Sequence, residues 1–177
     1  MENKYYFDTP IGWLLIVENG KAVTQLNFIK DCALGERDQQ VMNKDGSNNI
    51  SFTKATPLMK EAVKQLQEYF QGVRKNFELP LAPKGTVFQQ KVWKALQEVP
   101  YGETRSYKQI ACVAGNEKAS RAVGMANNRN PIPIIIPCHR IIGANGKLIG
   151  YAGGLEVKEY LLNLENGNQA EREHLCF

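Results

Sequence analysis

Short apolar runs separated by turn residues dominate the first part of the chain. Lys4-Tyr5-Tyr6-Phe7, Trp13-Leu14-Leu15-Ile16-Val17 and Ala22-Val23-Thr24-Gln25-Leu26-Asn27-Phe28 read as strands, rich in aromatic and β-branched residues. Asp8-Thr9-Pro10-Ile11-Gly12 turns the chain after the first. Glu18-Asn19-Gly20-Lys21 lies between the second and third, and Asn-Gly flanked by such runs is the strongest short-range hairpin signal. Residues 30–52 are polar and irregular and read as a long connection, with Cys32 incidental within it. The period then changes to that of a helix. Thr56 is placed as N-cap and Pro57 at the first helical position; Leu58, Ala62, Val63, Leu66, Tyr69 and Phe70 follow on one face, and Gly72 stops the run. Asn76-Phe77-Glu78-Leu79-Pro80 reads as a further strand, and Leu81-Ala82-Pro83-Lys84-Gly85 as a linker.

Beyond the linker the pattern is mainly helical. Thr86 and Gln89 form a capping box ahead of Phe88, Val92, Ala95, Leu96 and Val99. Ser106 and Gln109 form a second one, opening a short helix through Ile110, Ala111, Val113 and Ala114. Gly115-Asn116 breaks it, and 119–126 carries a third helix. Two short helices joined by a glycine-containing turn are a helix-turn-helix signature. The second of them presents Ala122, Gly124 and Met125 where base-reading polar side chains are expected. Next comes Asn130-Pro131-Ile132-Pro133-Ile134-Ile135-Ile136-Pro137-Cys138-His139-Arg140, stiffened by three prolines, with 134–136 reading as a short buried strand. Asn145-Gly146, between 141–144 and 147–150, signals another hairpin. Tyr151-Ala152-Gly153-Gly154 reads as a flexible loop. A last helix runs from Leu155, with Val157, Tyr160, Leu161 and Leu164 inward, to Glu165 before Asn166-Gly167. The polar tail, 168–177, has no assigned role. The expected domains are thus 1–82, an antiparallel sheet with a helix acting as a platform, and 83–177.

Charge placement sharpens this division. Residues 1–83 carry ten basic and ten acidic residues; 84–130 carry eight and three; 131–177 carry four and five. The excess of +5 in 84–130 makes the helix-turn-helix reading the stronger one there, and suits an anionic partner such as nucleic acid; a solvated basic face is the alternative. No apolar run approaches the roughly 20 residues of a membrane span. The N-terminal stretch has no apolar signal core, so a cytoplasmic protein is expected; a monomer without membrane contact is expected as well. Four cysteines without C-x-x-C pairing fit reduced thiols. Two histidines, 139 and 174, make a structural zinc cluster unlikely on numbers alone, and no cofactor or metal is expected.

Cys138 is the candidate for chemistry. The thiolate is the reactive form, and a free thiol is mostly protonated at neutral pH. His139 could assist, but adjacent side chains diverge, so a bridging water suits the pair better than contact. A base histidine needs an acceptor for its other nitrogen, and Glu165 is a carboxylate the fold could bring there. Cys138 as a small buried hydrophobe and His139 as a satisfied core histidine are the alternatives. Cys112, on an apolar helix, is expected to be buried and inert.

Pro137-Cys138-His139-Arg140 within IPIIIPCHRIIGANG resembles the active-site motif of the O6-alkylguanine-DNA alkyltransferases, the methylated-DNA–protein-cysteine methyltransferases. The similarity extends from Thr86 to Glu165 through FQQKVWKALQEVPYGETRSY, SRAVGMANNRNPIPI and GYAGGLEVKEYLLNLE, and the motif is specific. The N-terminal part resembles the family's variable domain. The fold this implies is α/β: a ribonuclease-H-like N-terminal domain and a mainly helical, winged helix-turn-helix-like C-terminal domain.

The resemblance implies direct reversal of DNA alkylation: Cys138 takes the alkyl group from O6 of guanine, with O4-alkylthymine as a second substrate, once per molecule. His139 would deprotonate Cys138 through a water, Glu165 would hold His139, and Asn130 would brace the active-site segment. Tyr107 would assist rotation of the nucleotide and donate a proton to the leaving guanine. Arg121 would fill the gap in the stack, with Ser106, Ala122 and Gly124 also at the DNA. Tyr151, Ala152 and Gly153 would wall the pocket, with the Ala152 N–H near O6, and carbonyls around Cys138 and Ile141 would meet the guanine amino group. Duplex DNA carrying O6-alkylguanine is the implied partner. The physics agrees: a base must leave the duplex to expose O6, and an inserted side chain offsets part of that cost.

Two departures stand out. Ala152 occupies a position where the family often has serine, which leaves only a backbone role. No histidine precedes His139, so the zinc site of some members is not expected. Cys138 also separates the chain from non-catalytic relatives with tryptophan at that position. A DNA-binding module without chemistry and a cysteine hydrolase are the competing functions.

Overall fold

The computed structural model describes residues 2–29, 49–51 and 55–167. Two compact units lie on either side of the Ala82–Pro83 link. The first unit carries β1 (Asn3–Phe7), β2 (Trp13–Glu18), β3 (Val23–Ile29), β4 (Asn49–Ser51) and α1 (Pro57–Phe70). The four strands form an antiparallel sheet in the order β3-β2-β1-β4. The Asn-Gly hairpin is present: β2 and β3 pair, Gly20 takes φ +88°, and the Glu18 carboxylate accepts from the Gly20 N–H and from Asn3. Buried Phe7, Leu14, Ile16 and Leu26 from the strands, with Met59, Leu66 and Tyr69 from α1, make the core. Thr56 caps α1, its hydroxyl accepting from the Met59 N–H at 3.2 Å.

Two expectations in this unit need correction. The polar connection is interrupted by β4 at 49–51, which pairs with β1; the rest of that connection, with Cys32, lies outside the described residues, as does the tail 168–177. Segment 76–80 is no strand. The bridge to β3, Val23 to Leu81, lies just beyond it, and the segment is held by the buried Gln65 side chain, which accepts from the Glu78 N–H at 2.9 Å and donates to the Glu78 carbonyl at 3.3 Å. Pro80 has no N–H to extend a ladder.

The second unit carries α2 (Val87–Gln97), β5 (Arg105–Ser106), α3 (Tyr107–Val113), α4 (Ser120–Asn128), a 3-10 turn (Cys138–Arg140), β6 (Ile141–Ile142) and α5 (Leu155–Glu165). Both capping boxes form as the spacing predicts: Thr86 with Gln89, and Ser106 with Gln109. The turn from α3 to α4 is a Schellman ending. The Asn116 N–H reaches the Ala111 carbonyl, the Gly115 N–H reaches that of Cys112, and Gly115 sits at φ +90°, which favours glycine. α2, α3 and α4 pack on one another. β5 and β6 pair in parallel, Arg105 with Ile141 and Ser106 with Ile142, which sets the start of α3 beside the Cys138 segment.

Three further expectations fail in this unit. Residues 134–136 are no strand. The Ile135 N–H bonds the Pro133 carbonyl across Ile134, which sits at φ +72°, and the Cys138 N–H bonds the Ile136 carbonyl across Pro137 at φ −81°, ψ 63°. These are two successive γ-turns, the first in the rare strained form. With N–H groups missing at residues 131, 133 and 137, a ladder is poorly supplied with donors. Asn145-Gly146 does turn the chain, with the Gly143 N–H on the Lys147 carbonyl, but 147–150 builds no ladder with 141–144, and β6 pairs with β5 instead. Cys112 is exposed, on the side of α3 away from buried Ile110 and Ala111.

Gly85 abuts the indole of Trp93, a residue only 1% exposed whose Nε1–H donates to the Ala126 carbonyl at 2.9 Å. A Cβ at Gly85 would lie 2.4 and 2.6 Å from Trp93 ring carbons. Gly85→Ala is expected to cost about 1–3 kcal/mol, as overpacking does. A lowered urea midpoint at unchanged m-value would report it; an unchanged midpoint would show that the indole moves freely.

Candidate active site

Cys138 is buried in the second unit, 2% exposed. Its segment is fixed from three directions. The Asn130 amide donates to the Ile136 carbonyl at 2.8 Å and its Oδ1 accepts from the Ile132 N–H at 3.0 Å, so one buried side chain spans the γ-turn region. Asn127, on α4, donates from Nδ2 to the Cys138 carbonyl at 3.3 Å. The 3-10 turn then sends His139 and Arg140 toward α5.

Those two side chains meet Glu165. His139 is fully buried, with Nε2 2.7 Å from Glu165 Oε1. Arg140 donates from Nε to Oε2 at 2.9 Å and from Nη2 to Oε1 at 3.0 Å, while its Nη1 reaches the Val99 carbonyl at 2.6 Å. The Gly102 N–H adds a bond to Oε2 at 3.1 Å. Burial would raise the Glu165 carboxyl, but the hydrogen bonds and charges of His139 and Arg140 outweigh it and hold the group down at about 2. A carboxylate only accepts, so Nε2 of His139 carries the hydrogen and Nδ1 keeps its lone pair. Burial lowers the His139 pKa despite Glu165, which favours the neutral ring. The imidazole is therefore set up to receive a proton at Nδ1.

Burial pushes the Cys138 thiol up to about 11, against the pull of an Asn130 hydrogen bond and the Lys158 charge. At pH 7 the resting thiolate fraction is on the order of one in 10⁴ by that value, so a base is needed. Tyr107 begins α3, half-buried, its hydroxyl donating to the Ile149 carbonyl at 3.2 Å. Its pKa is raised by burial and by Cys138. The ring of Tyr151 stands edge-on to His139, centroids 6.4 Å apart, and burial raises its phenol well above the usual value. Residues 151–154 close a turn through the Gly154 N–H on the Tyr151 carbonyl, with Ala152 exposed and Gly153 half-buried.

The structure thus gathers Cys138, His139, Glu165, Asn130, Ile141, Tyr107 and Tyr151 in one unit. Arg121 and Ala122 lie apart on the exposed face of α4 with Met125, 58% exposed. Gly124 faces Tyr107: a Cβ there would sit 3.8 Å from the ring, an ordinary contact. The Ser106 hydroxyl serves as the α3 cap. Sequence reasoning missed Lys158, Asn127 and the full part of Arg140. Lys158 is fully buried and donates to the carbonyls of Ile141 at 2.6 Å and Ile149 at 2.9 Å. Its spacing to Leu161 and Glu165 placed it on the inward face of the last helix. Among the described residues no group of three or more His, Cys, Asp and Glu side chains is arranged to hold a metal ion, and no helix is long and apolar enough to cross a membrane.

The Glu165 carboxyl is depressed from 4.5 to about 2, so its stabilisation is complete above pH 4.5 and is lost as pH falls toward 2. Glu165→Gln is expected to remove a pH-dependent contribution of up to about 3 kcal/mol, flattening the stability profile across that window. Urea unfolding from pH 6 to pH 2 checks this; parallel profiles for the two proteins would place the shift elsewhere.

Comparison with known proteins agrees with this arrangement. Residues 3–83 match the family model for the 6-O-methylguanine DNA methyltransferase ribonuclease-like domain, and residues 87–167 match the one for its DNA binding domain. The methylated-DNA–protein-cysteine methyltransferase of Methanosarcina acetivorans is 52% identical over 163 residues, covering 91% of this chain and 97% of its own. The constitutive enzyme of that name from Bacillus subtilis is 49% identical over 166 residues, covering 93% and 96%. Among solved structures, the Mycobacterium tuberculosis O6-methylguanine methyltransferase aligns with a TM-score of 0.76 at 42% identity, covering 94% of each chain. The same organism's OGT in complex with DNA aligns at 0.79 and 42% identity, covering 97% and 98%. With both halves matched and about half the residues shared along nearly the whole length, the chain belongs to the methylated-DNA–protein-cysteine methyltransferase family.

Proposed function

We propose that this protein repairs alkylated DNA by moving the O6-alkyl group of guanine onto Cys138. The observation that carries the reading is the buried Cys138 beside a neutral His139 locked onto the Glu165 carboxylate, in a chain of this family. His139 Nδ1 takes the thiol proton through a bridging water. The thiolate attacks the alkyl carbon, an S–C bond forms as the C–O6 bond breaks, and the electron pair leaves with guanine. Tyr107 supplies the proton to the departing base and is reprotonated from the imidazolium side. No redox partner is needed, and the thioether product has no low-energy way back, so each molecule acts once.

The other roles follow. Asn130 braces the γ-turn segment. Arg121, with Ala122, Gly124 and Ser106, faces the duplex, and the small residues of α4 allow a close approach that reads little sequence. Arg121 fills the space of the rotated base. Tyr151, Ala152, Gly153 and the carbonyls at Cys138 and Ile141 enclose it. In this reading residues 1–82 are the ribonuclease-H-like platform and 83–177 the DNA-binding and transfer domain. The protein works as a cytoplasmic monomer, without cofactor, on duplex DNA carrying O6-alkylguanine.

Incubation with an O6-methylguanine duplex is expected to add one methyl mass per protein, at Cys138, and none to Cys138→Ser. Peptide mass spectrometry checks it. An adduct at exposed Cys112 alone, no adduct, or repeated turnover of an acyl substrate by Cys138 would overturn the reading. His139→Ala is expected to slow transfer at pH 7 by roughly 10²–10⁴-fold, the usual worth of a general base. The deficit should shrink as pH rises toward 11, where the thiol ionises unaided. A deficit constant with pH in single-turnover rates would remove His139 from proton transfer.

A further inference from the structure

The proposed reaction leaves a buried cation without a task. Lys158 is 0% exposed, and among the described residues no carboxylate forms an ion pair with it. An ammonium removed from water without a counter-charge is costly. Two of its three protons go to main-chain carbonyls, Ile141 at 2.6 Å and Ile149 at 2.9 Å. Those carbonyls flank the turn at 143–147, so a single side chain from α5 closes it from beneath. The Ile149 oxygen also accepts from the Tyr107 hydroxyl at 3.2 Å, which joins the start of α3 to the same junction.

The groups around Cys138 can be compared one by one. Asn130 is neutral and donates a hydrogen bond. Tyr107 and Tyr151 are phenols whose ionisation is disfavoured by burial and by Cys138. His139 is held neutral, and the Arg140 charge is neutralised by Glu165. Lys158 alone among these brings an uncompensated positive charge to bear on the sulfur, and the two groups act on each other in both directions.

We infer that Lys158 is a positioning residue for the transfer: its ammonium ties the Ile141 and Ile149 carbonyls together, holds Tyr107 through the shared Ile149 oxygen, and supplies the positive charge that the Cys138 thiolate faces. The inference rests on Cys138 as the acceptor and adds to it the source of the charge. Burial lowers the Lys158 pKa to about 8, with Cys138 pulling the other way, so the side chain is still largely charged at pH 7. Conversion of the thiolate to a thioether withdraws that pull.

Lys158→Met keeps the length of the side chain and removes the charge. The rate of iodoacetamide addition to Cys138, followed against pH with Cys138→Ser as blank, is expected to be roughly tenfold lower in the variant below pH 8, where wild-type Lys158 is charged, and to converge with the wild type above it. Transfer from the O6-methylguanine duplex should fall roughly tenfold at pH 7, one unit of thiol pKa being tenfold in thiolate, and recover as pH rises. Addition rates that match the wild type below pH 8, or a transfer rate lost equally at every pH, overturn the inference. Should the variant fail to fold, the wild type answers instead. Its iodoacetamide rate at Cys138 should rise less steeply with pH through 8, where Lys158 loses its charge, than on either side of that point; a constant slope overturns the proposal. The iodoacetamide addition needs no DNA, so its result stands apart from whether the duplex transfers its methyl group at all.

Discussion

Everything in the second unit that matters for chemistry hangs on one carboxylate. Glu165 accepts from His139, twice from Arg140 and once from the Gly102 N–H. A buried anion with a single partner is poorly compensated; four donors change the balance. Because the carboxylate is anchored by Arg140 and Gly102, it can orient His139 without taking its proton. Arg140 in turn reaches the Val99 carbonyl, so the end of α2, the turn at 102 and the end of α5 share one polar junction. Adjacent residues Cys138 and His139 are held by different partners, the Cys138 segment by Asn130 and Asn127 and the His139 ring by Glu165 of α5.

The elements that were legible in the sequence were those set by local chemistry. The capping boxes at Thr86 and Ser106, the Asn19-Gly20 hairpin and the glycine break at Gly115 form as the spacing requires, because each involves groups only a few residues apart. The pairing of Glu165 with His139 followed from what a base histidine needs, although 26 residues separate them. The failures have a common cause. An apolar run such as 134–136 satisfies the pattern of a strand, but whether it makes a ladder depends on its donors and on a free neighbouring edge. The prolines remove donors, and β6 takes β5, not the segment after the turn, as its partner. Lys158 was overlooked because a lysine in a helix is ordinarily a solvated one, and nothing local signals that two carbonyls from distant turns will meet it. Cys112 shows the converse: small, apolar neighbours on a short amphipathic helix do not settle which side is covered.

The same unit divides its labour between rigid and open surfaces. Asn130, Asn127 and Trp93 fasten the Cys138 segment and the buried side of α4 by side chain-to-backbone bonds, so the back of α4 and the nucleophile are one framework. The front of α4 carries Arg121, Ala122 and Met125 in solvent. The exposed front of α4 and the Cys138 segment are thus joined by a few buried amide hydrogen bonds.

The γ-turn at Ile134 has a consequence for how a lesion is found. A β-branched residue at φ +72° persists only where its surroundings over-determine it, and Ile132, Ile134 and Ile136 are all fully buried around that bend. The strand of chain that presents the thiol is thus an interior piece of the protein with the mechanical character of a core. It cannot reach out toward a damaged base. Under the proposed reaction the displacement that brings a damaged base to the sulfur would fall on the nucleic acid, so the ease of unstacking, a property of the duplex itself, would enter the selectivity of repair.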